Sequence, residues 1–391
     1  NIKLMYKLGT SKDSTYITFG KDLVVDMAEF SNIIVPRKDG NGAQATYYTA
    51  DTTGPEIIDF SIDLNRRILT MTFSEVVNAS TADGAGITIQ DARTATISTQ
   101  FTSQTRTKSE NGLILKFDIA DKDFNGMKEL TGVAERRANT FITATSITVG
   151  DMMGFETSTN YLQVIEDGSI DSLYATNFTA DQLPPSLTSF DLDLDSKARG
   201  NLTLVFSEPV DASTLDVGKI TLYGSDDNED TAISLTYDGS STLSPDGTHI
   251  IVMMSGEDLK TIKLSDDIAV GKSYHCHAQV GVVTDDDEKY KCYWEHYIDA
   301  EREDARPDRN VWLTIEAGAV QDTFTYLDAF GTQKVQNDLI EVSYDDVMGV
   351  SNFTQDGTEP NLVSYDLDMD AALLTLYFDE PVRSFTLNVT Y

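Results

Sequence analysis

Apolar and acidic residues alternate strictly along Phe190-Asp-Leu-Asp-Leu-Asp195, the period of a β-strand with one buried and one wet face. Leu69-Thr-Met-Thr-Phe73 and Leu202-Thr-Leu-Val-Phe206 extend the pattern. Between such runs lie the turn pairs Asp39-Gly40, Asn111-Gly112, Asp238-Gly239 and Asp246-Gly247, which favour tight reversals because glycine accepts positive φ. Short strands punctuated in this way predict an all-β chain of sandwiches of roughly immunoglobulin size. Helical spacing is rare. Phe124/Met127 and Leu259/Ile262 recur at i, i+3, so one short helix per repeat is expected, over 121–130 and 256–264.

The strand pattern itself recurs. Pro55-Glu-Ile-Ile-Asp-Phe60 leads to Leu69-Thr-Met-Thr-Phe-Ser-Glu75, with Asn78-Ala-Ser-Thr81 following. Pro185-Ser-Leu-Thr-Ser-Phe190 leads to Leu202-Thr-Leu-Val-Phe-Ser-Glu-Pro-Val-Asp-Ala-Ser-Thr214. Pro360-Asn-Leu-Val-Ser-Tyr365 leads to Leu374-Thr-Leu-Tyr-Phe-Asp-Glu-Pro-Val382. A second block stands ahead of each: Tyr16-Ile-Thr-Phe19 with Asp26-Met27, Phe141-Ile-Thr-Ala144 with Asp151-Met152, and Trp312-Leu-Thr-Ile315 with Asp322. Polar linkers then follow as Tyr48-Thr-Ala-Asp51, Phe178-Thr-Ala-Asp181 and Phe353-Thr-Gln-Asp356. Three linked matches in one order describe a tandem array. On this frame residues 1–54 are the C-terminal part of one sandwich and 55–184 a complete immunoglobulin-like repeat. Residues 185–359 are a second complete repeat with an insertion near 271–310, and 360–391 are the first strands of a further one. The sequence is thus expected to start and stop in mid-domain.

The paired blocks, and above all the run Phe206-Ser-Glu-Pro-Val-Asp-Ala-Ser-Thr214, resemble a repeat of very large extracellular proteins of unicellular algae and other protists. That repeat is similar to bacterial immunoglobulin-like and cadherin-like sandwiches. The third copy departs from it, with Arg383-Ser-Phe385 in place of Asp-Ala-Ser. The resemblance implies tandem sandwiches in an extracellular or cell-surface protein of adhesive, surface or flagellar-hair (mastigoneme) type.

Charge narrows the classes further. With 64 acidic and 29 basic side chains, the formal net charge is −35, which argues against binding nucleic acid or an anionic lipid surface. The 40% hydrophobic content is enough to build cores, and no apolar run is long enough for a membrane span. Five Asn-x-Ser/Thr sequons, at Asn78, Asn177, Asn201, Asn352 and Asn388, point to an N-glycosylated secreted protein. Asn177 and Asn352 occupy one linker position, where Tyr47 stands in the first repeat.

Both cysteines, Cys276 and Cys292, fall in the insertion and flank Thr284-Asp-Asp-Asp-Glu288. A disulfide across a hairpin is the expectation; closing a loop of this size stabilises by roughly 3 kcal/mol in the chain-entropy account. Zinc on His275, Cys276, His277, Cys292 and His296 is the alternative, but on a strand His275 and His277 share a face that Cys276 does not. The acidic runs Asp191/Asp193/Asp195 and Asp366/Asp368/Asp370 lack the glycine and glutamate of a calcium loop, having Ser196 and Leu202 at those positions of the first run. They read as wet strand faces. Calcium at repeat junctions, or around Asp226-Asp-Asn-Glu-Asp230, would nevertheless relieve carboxylate repulsion, with no set of ligands singled out.

No hydrolase elbow, phosphate loop or zincin motif occurs, and Glu75, Glu208 and Glu380 recur in every repeat as structural residues would. The expectation is therefore a non-enzymatic structural glycoprotein, assembled head-to-tail with copies of itself or with neighbouring repeats, in part by strand complementation. The alternative is a surface adhesin whose insertion, rich in Tyr274, Tyr290, Tyr293, Trp294 and Tyr297, binds glycan or protein.

Overall fold

The computed structural model describes residues 2–5, 8–152, 159–195, 200–226, 229, 232–236, 241–265, 268–269, 273–278, 290–295, 311–327, 334–382, 384 and 387. Among these the chain is mostly β, with two short α-helices. It forms two compact bodies, residues 1–182 with 326–332, and residues 183–325 with 333–391.

In the first body β1 (Tyr16–Ile17) pairs with β2 (Ala43–Gln44). The hairpin of β3 (Ile57–Asp63) and β4 (Ile68–Asn78) follows, then β5 (Ile87–Gln90), β6 (Ser98–Gln100), β7 (Arg106–Thr107) and β8 (Gly112–Asp118). Helix α1 (Asp121–Lys128) leads to β9 (Phe141–Ala144), β10 (Gly150–Asp151), β11 (Leu173–Tyr174) and β12 (Asn177–Thr179). One sheet has the order β12-β3-β4-β8-β7, with β10 also on β4; the other runs β11-β9-β5-β6. The period-2 pattern acts as expected: Phe60, Ile62, Leu69, Met71 and Phe73 are buried, and the polar residues between them are not. Each such aliphatic or aromatic side chain contributes roughly 1.5–3 kcal/mol when fully buried.

The second body repeats this plan. Its strands are β13 (Leu187–Asp193), β14 (Asn201–Asp211), β15 (Ile220–Tyr223), β16 (Ile233–Ser234), β17 (Ser241–Thr242) and β18 (Gly247–Met253). After α2 (Gly256–Leu264) come β19 (Ser273–Ala278), β20 (Tyr290–Glu295), β21 (Trp312–Ile315), β22 (Gln321–Asp322), β23 (Met348–Gly349) and β24 (Asn352–Thr354). The sheets run β17-β18-β14-β13-β24, with β22 on β14, and β16-β15-β21-β23. Leu192, Leu204 and Ile250 from one sheet and Ile220, Leu313 and Ile315 from the other share a single buried core, so the sheets pack face to face. The hairpin of β25 (Leu362–Asp368) and β26 (Leu373–Phe378) closes the chain's described part, and β19 and β20 form a separate two-stranded ribbon.

The three hairpins share one register. Ile57, Phe60 and Ile62 face Phe73, Met71 and Leu69; Leu187, Phe190 and Leu192 face Phe206, Leu204 and Leu202; Leu362, Tyr365 and Leu367 face Phe378, Leu376 and Leu374. Each has its bulge at the same place, between Ile57 and Asp59, Leu187 and Ser189, and Leu362 and Ser364. The linker strand then adds in parallel to the hairpin's first strand, β12 along Ser61–Asp63 and β24 along Asp191–Asp193.

The long strands are interrupted where the Phe-Ser-Glu block falls. The β4–β8 register slips between Thr72 and Val77, and the β14–β18 register between Val205 and Val210. Beside each block a side chain bonds back to the start of its own hairpin: Ser74 Oγ accepts from the Glu56 amide at 3.0 Å, Ser207 Oγ from the Ser186 amide at 3.0 Å, and Asp379 Oδ1 from the Asn361 amide at 2.7 Å. Glu75 and Glu208 are thereby carried outside the regular ladder, and Pro209 sits where no N–H has to be supplied.

Candidate functional site

The residues gathered at the block boundaries form the most chemically marked constellation of the described structure. Its construction starts with the helices. In α1 Asp123 lies in the first turn, where a carboxylate complements the helix dipole, and accepts from Thr102 Oγ1 at 3.0 Å and Thr105 Oγ1 at 2.5 Å. In α2 Asp258 takes the same role toward Thr236 Oγ1 at 2.9 Å, and Ser255 caps the helix through the Asp258 amide at 3.0 Å. Anchored at its start and by Phe124 and Met127 in the core, α1 delivers Lys128 at its last turn. The Lys128 Nζ passes 5.4 Å from the Phe124 ring to reach Asp181 Oδ2 at 2.5 Å. These two side chains are 0% and 1% exposed.

The corresponding lysine of α2, Lys263, meets Asp356 at 2.7 Å and Glu380 at 2.8 Å. Near the N-terminus the single turn Ile2–Leu4 presents Lys3 to Asp51 and Glu75. The three lysines occupy one sequence position, in Ile2-Lys3, Met127-Lys128 and Ile262-Lys263. Their partners are the aspartates that end the linker blocks, Asp51, Asp181 and Asp356, and in two cases the glutamate of the following Phe-x-Glu block. Asp151 completes the first cluster: one oxygen each from Asp51, Glu75 and Asp151 lie within 4.8 Å of one another, and Asp151 is 2% exposed.

Carboxylates so close repel by roughly 4 kcal/mol per pair at an effective dielectric of about 20, and an ammonium among them offsets that. Burial works to raise the Asp51 pKa, yet the Lys3 hydrogen bond, the Thr53 amide and the Lys3 charge together hold it below the ordinary value. The linker is also strapped mechanically. Asn160 Nδ2 donates to Asp151 Oδ2 at 3.0 Å and to the Asp51 carbonyl at 3.1 Å, and Gln163 N donates to the Pro55 carbonyl at 2.9 Å. The aspartates at the equivalent position of the other copies share this habit: Asn32 Nδ2 donates to Asp26 at 2.8 Å and Asn337 Nδ2 to Asp322 at 2.9 Å.

The residues singled out from sequence are scattered relative to this cluster. Asn177 and Asn352 are exposed on β12 and β24, and Asn352 Nδ2 donates to Asp191 Oδ1 at 2.9 Å. Asn201 is half-buried at the start of β14. Asn78 is 4% exposed, and its Oδ1 caps the following turn by accepting from the Ser80 amide at 3.1 Å and Ser80 Oγ at 2.8 Å. The folded unit does not present that amide at its surface. Asn388 lies outside the described residues, as does most of the insertion, including His296 and Tyr297. In the β19–β20 ribbon Cys276 is directly opposite Cys292. Asp191 and Asp193 alternate with buried Leu192 and Leu194 as a strand face, and Asp195 accepts from the Gly357 amide at 3.1 Å.

Sequence reading picked out the repeated acids and missed the lysines. The signal was present as a lysine at one position in all three copies, in a chain where acids outnumber bases 64 to 29.

No protein-family model matches the chain, and no curated protein sequence matches it. Among solved structures, the N-terminal part of the bacterial S-layer protein SbsC is similar at 14% identity and a TM-score of 0.19, over 51% of this chain and 43% of that one. A superposition of that quality carries no argument about fold or function. No described helix is long and apolar enough to cross a membrane.

Proposed function

We propose that this chain is part of an extracellular structural glycoprotein, in which tandem immunoglobulin-like sandwiches form the repeating body of a filament or flagellar-hair-like fibre. The observation that carries this reading is the threefold recurrence of one hairpin, with one register and one bulge position, each recurrence joined through a linker aspartate to a helix-end lysine. Such a design gives rigid modules with defined links, which suits mechanical material better than catalysis. In this reading copies of the chain, or neighbouring repeats, associate head-to-tail as partners. Glycans on exposed Asn177 and Asn352 would coat the linker strands at one fixed position per module. A Cys276–Cys292 bridge would staple the β19–β20 ribbon, whose register sets the two residues directly opposite each other.

Electron microscopy of the native material tests this. Linear particles whose axial spacing matches a module are expected. Native material made only of compact, unassociated particles would overturn the filament. Peptide mapping with and without enzymatic deglycosylation and reduction is expected to show modified Asn177 and Asn352 and a linked Cys276–Cys292 peptide.

A further inference from the structure

Carboxylates clustered at module joints invite a divalent cation, yet each described cluster already holds a positive charge from the chain itself. Lys3 lies between Asp51 and Glu75, and Lys263 between Asp356 and Glu380. Lys128 is bound to Asp181 with neither side chain exposed by more than 1%. In all three cases the lysine lies in the last turn of a helix or helical turn of one block, and its acids follow it in the chain: the linker aspartate each time, and in two cases the glutamate of the next hairpin. The direction never reverses: base from the N-terminal side, acids from the C-terminal side. A metal would compete with the lysine for the same carboxylates, and a second cation beside the ammonium would be repelled.

We propose that Lys3, Lys128 and Lys263 are the resident cations of the module joints, and that each locks the following linker in place without a bound divalent metal. The proposal rests on the tandem-module reading and specifies how its joints are held. The ammonium also imposes a geometry that a freely exchanging ion does not. A lysine is tied to its helix, so the linker aspartate can be captured only when the linker itself runs past that helix end. Loss of the lysine leaves a pair of partly buried like charges, and the linker should then detach while both sandwiches stay folded. Joints of this kind would be indifferent to calcium and sensitive to acylation of the lysine.

The test is hydrogen exchange on the whole chain, read at linker amides that lean on the clamped aspartates. Thr53 N donates to Asp51 Oδ1 at 3.2 Å and Thr358 N to Asp356 Oδ1 at 3.1 Å. Lys3→Met is expected to speed exchange at Thr53 tenfold or more, and Lys263→Met to do so at Thr358, with core amides of β4 and β14 unchanged. Glu380→Gln, which keeps the lysine and removes one acid, provides a second approach to the same joint and is expected to accelerate Thr358 in the same direction. Chelator or millimolar calcium is expected to leave wild-type linker exchange as it was. Unchanged linker exchange in the lysine variants, or wild-type linkers that lose protection in chelator, would overturn the proposal. Intact linker protection in the variants beside fibrous native material would remove this inference alone, whereas accelerated linkers beside non-fibrous material would remove the filament alone.

Discussion

Lys263 and Asp356 each fix the other's charge state. Burial acts to lower the Lys263 pKa, but hydrogen bonds from its ammonium and the charges of Asp356 and Glu380 prevail and hold it above the ordinary 10.5. Burial likewise acts to raise Asp356, but the lysine and the Thr358 amide hold it below the ordinary 3.8. Lys263 and Glu380 line a hollow together with Lys260 and Asp379, and hydrogen bonds from Asn361 hold the Asp379 carboxyl below its ordinary value. A lowered carboxyl adds stability that is present above its unfolded pKa and lost as pH falls through the folded one; a raised ammonium adds stability that is lost only as pH climbs through its folded value. The melting-temperature gap between wild type and Lys263→Met should therefore stay constant from about pH 5 to 9 and close below 3.8. A gap that does not narrow at all as pH falls below 3.8 would mean the lysine acts through packing. These pairs were hidden in the sequence because a lone lysine at a helix end reads as a solvated tip. Its burial depends on contacts 48 to 117 residues away. Asn78 shows the opposite case. Its sequon is plain, but no local pattern tells that the side chain is spent on capping its own turn.

At the level of elements the hairpins were the most legible feature, because one dry face and strict alternation leave a single register that buries Phe60, Ile62, Leu69 and Met71 together. The interruption after Phe73 could be read only in part. Pro209 and Pro381 follow the recurring glutamates, while Val76 stands at that position in the first copy. Since Val76 falls inside the register slip between Thr72 and Val77, its N–H has no place in the ladder with β8. Val76→Pro is accordingly expected to change unfolding free energy by about 1 kcal/mol or less. Thr70→Pro, paired to Ser61 on one side and Lys116 on the other, is expected to unfold the sheet. Chemical denaturation of the two variants checks both, and equal losses would refute the assigned break. The linker gives a second expectation. A Cβ on Gly54 would lie 1.9 Å from the Tyr161 carbonyl oxygen, a clash that only backbone movement relieves, so Gly54→Ala should cost on the order of 1–3 kcal/mol. The helices fell close to their expected spans, whereas most of the insertion has no repeat partner to read it against.

Across the whole molecule, a net charge of −35 means that folding concentrates like charge, which opposes compactness. Screening answers this generally: the Debye length falls from about 30 Å at 0.01 M to about 10 Å at 0.1 M ionic strength, so exposed carboxylates cease to feel one another. The lysine–carboxylate pairs respond less, because Lys128 and Asp181 are out of solvent and Lys263 nearly so, and buried pairs are screened weakly. Two contributions with different salt responses can therefore be separated in one experiment. Sodium chloride raised from 0.01 to 0.5 M is expected to raise the melting temperature by several degrees, and the increment should be nearly the same in wild type and Lys263→Met, since the joint contributes little to it. Calcium or magnesium chloride at matched ionic strength should produce the sodium curve and no more in the wild type. A melting temperature that falls with sodium would show that exposed ion pairs outweigh the repulsion. An increment specific to calcium and abolished by Asp51→Asn or Asp356→Asn would place the metal back at the joints, and the lysines would then be bystanders to an ion-held array.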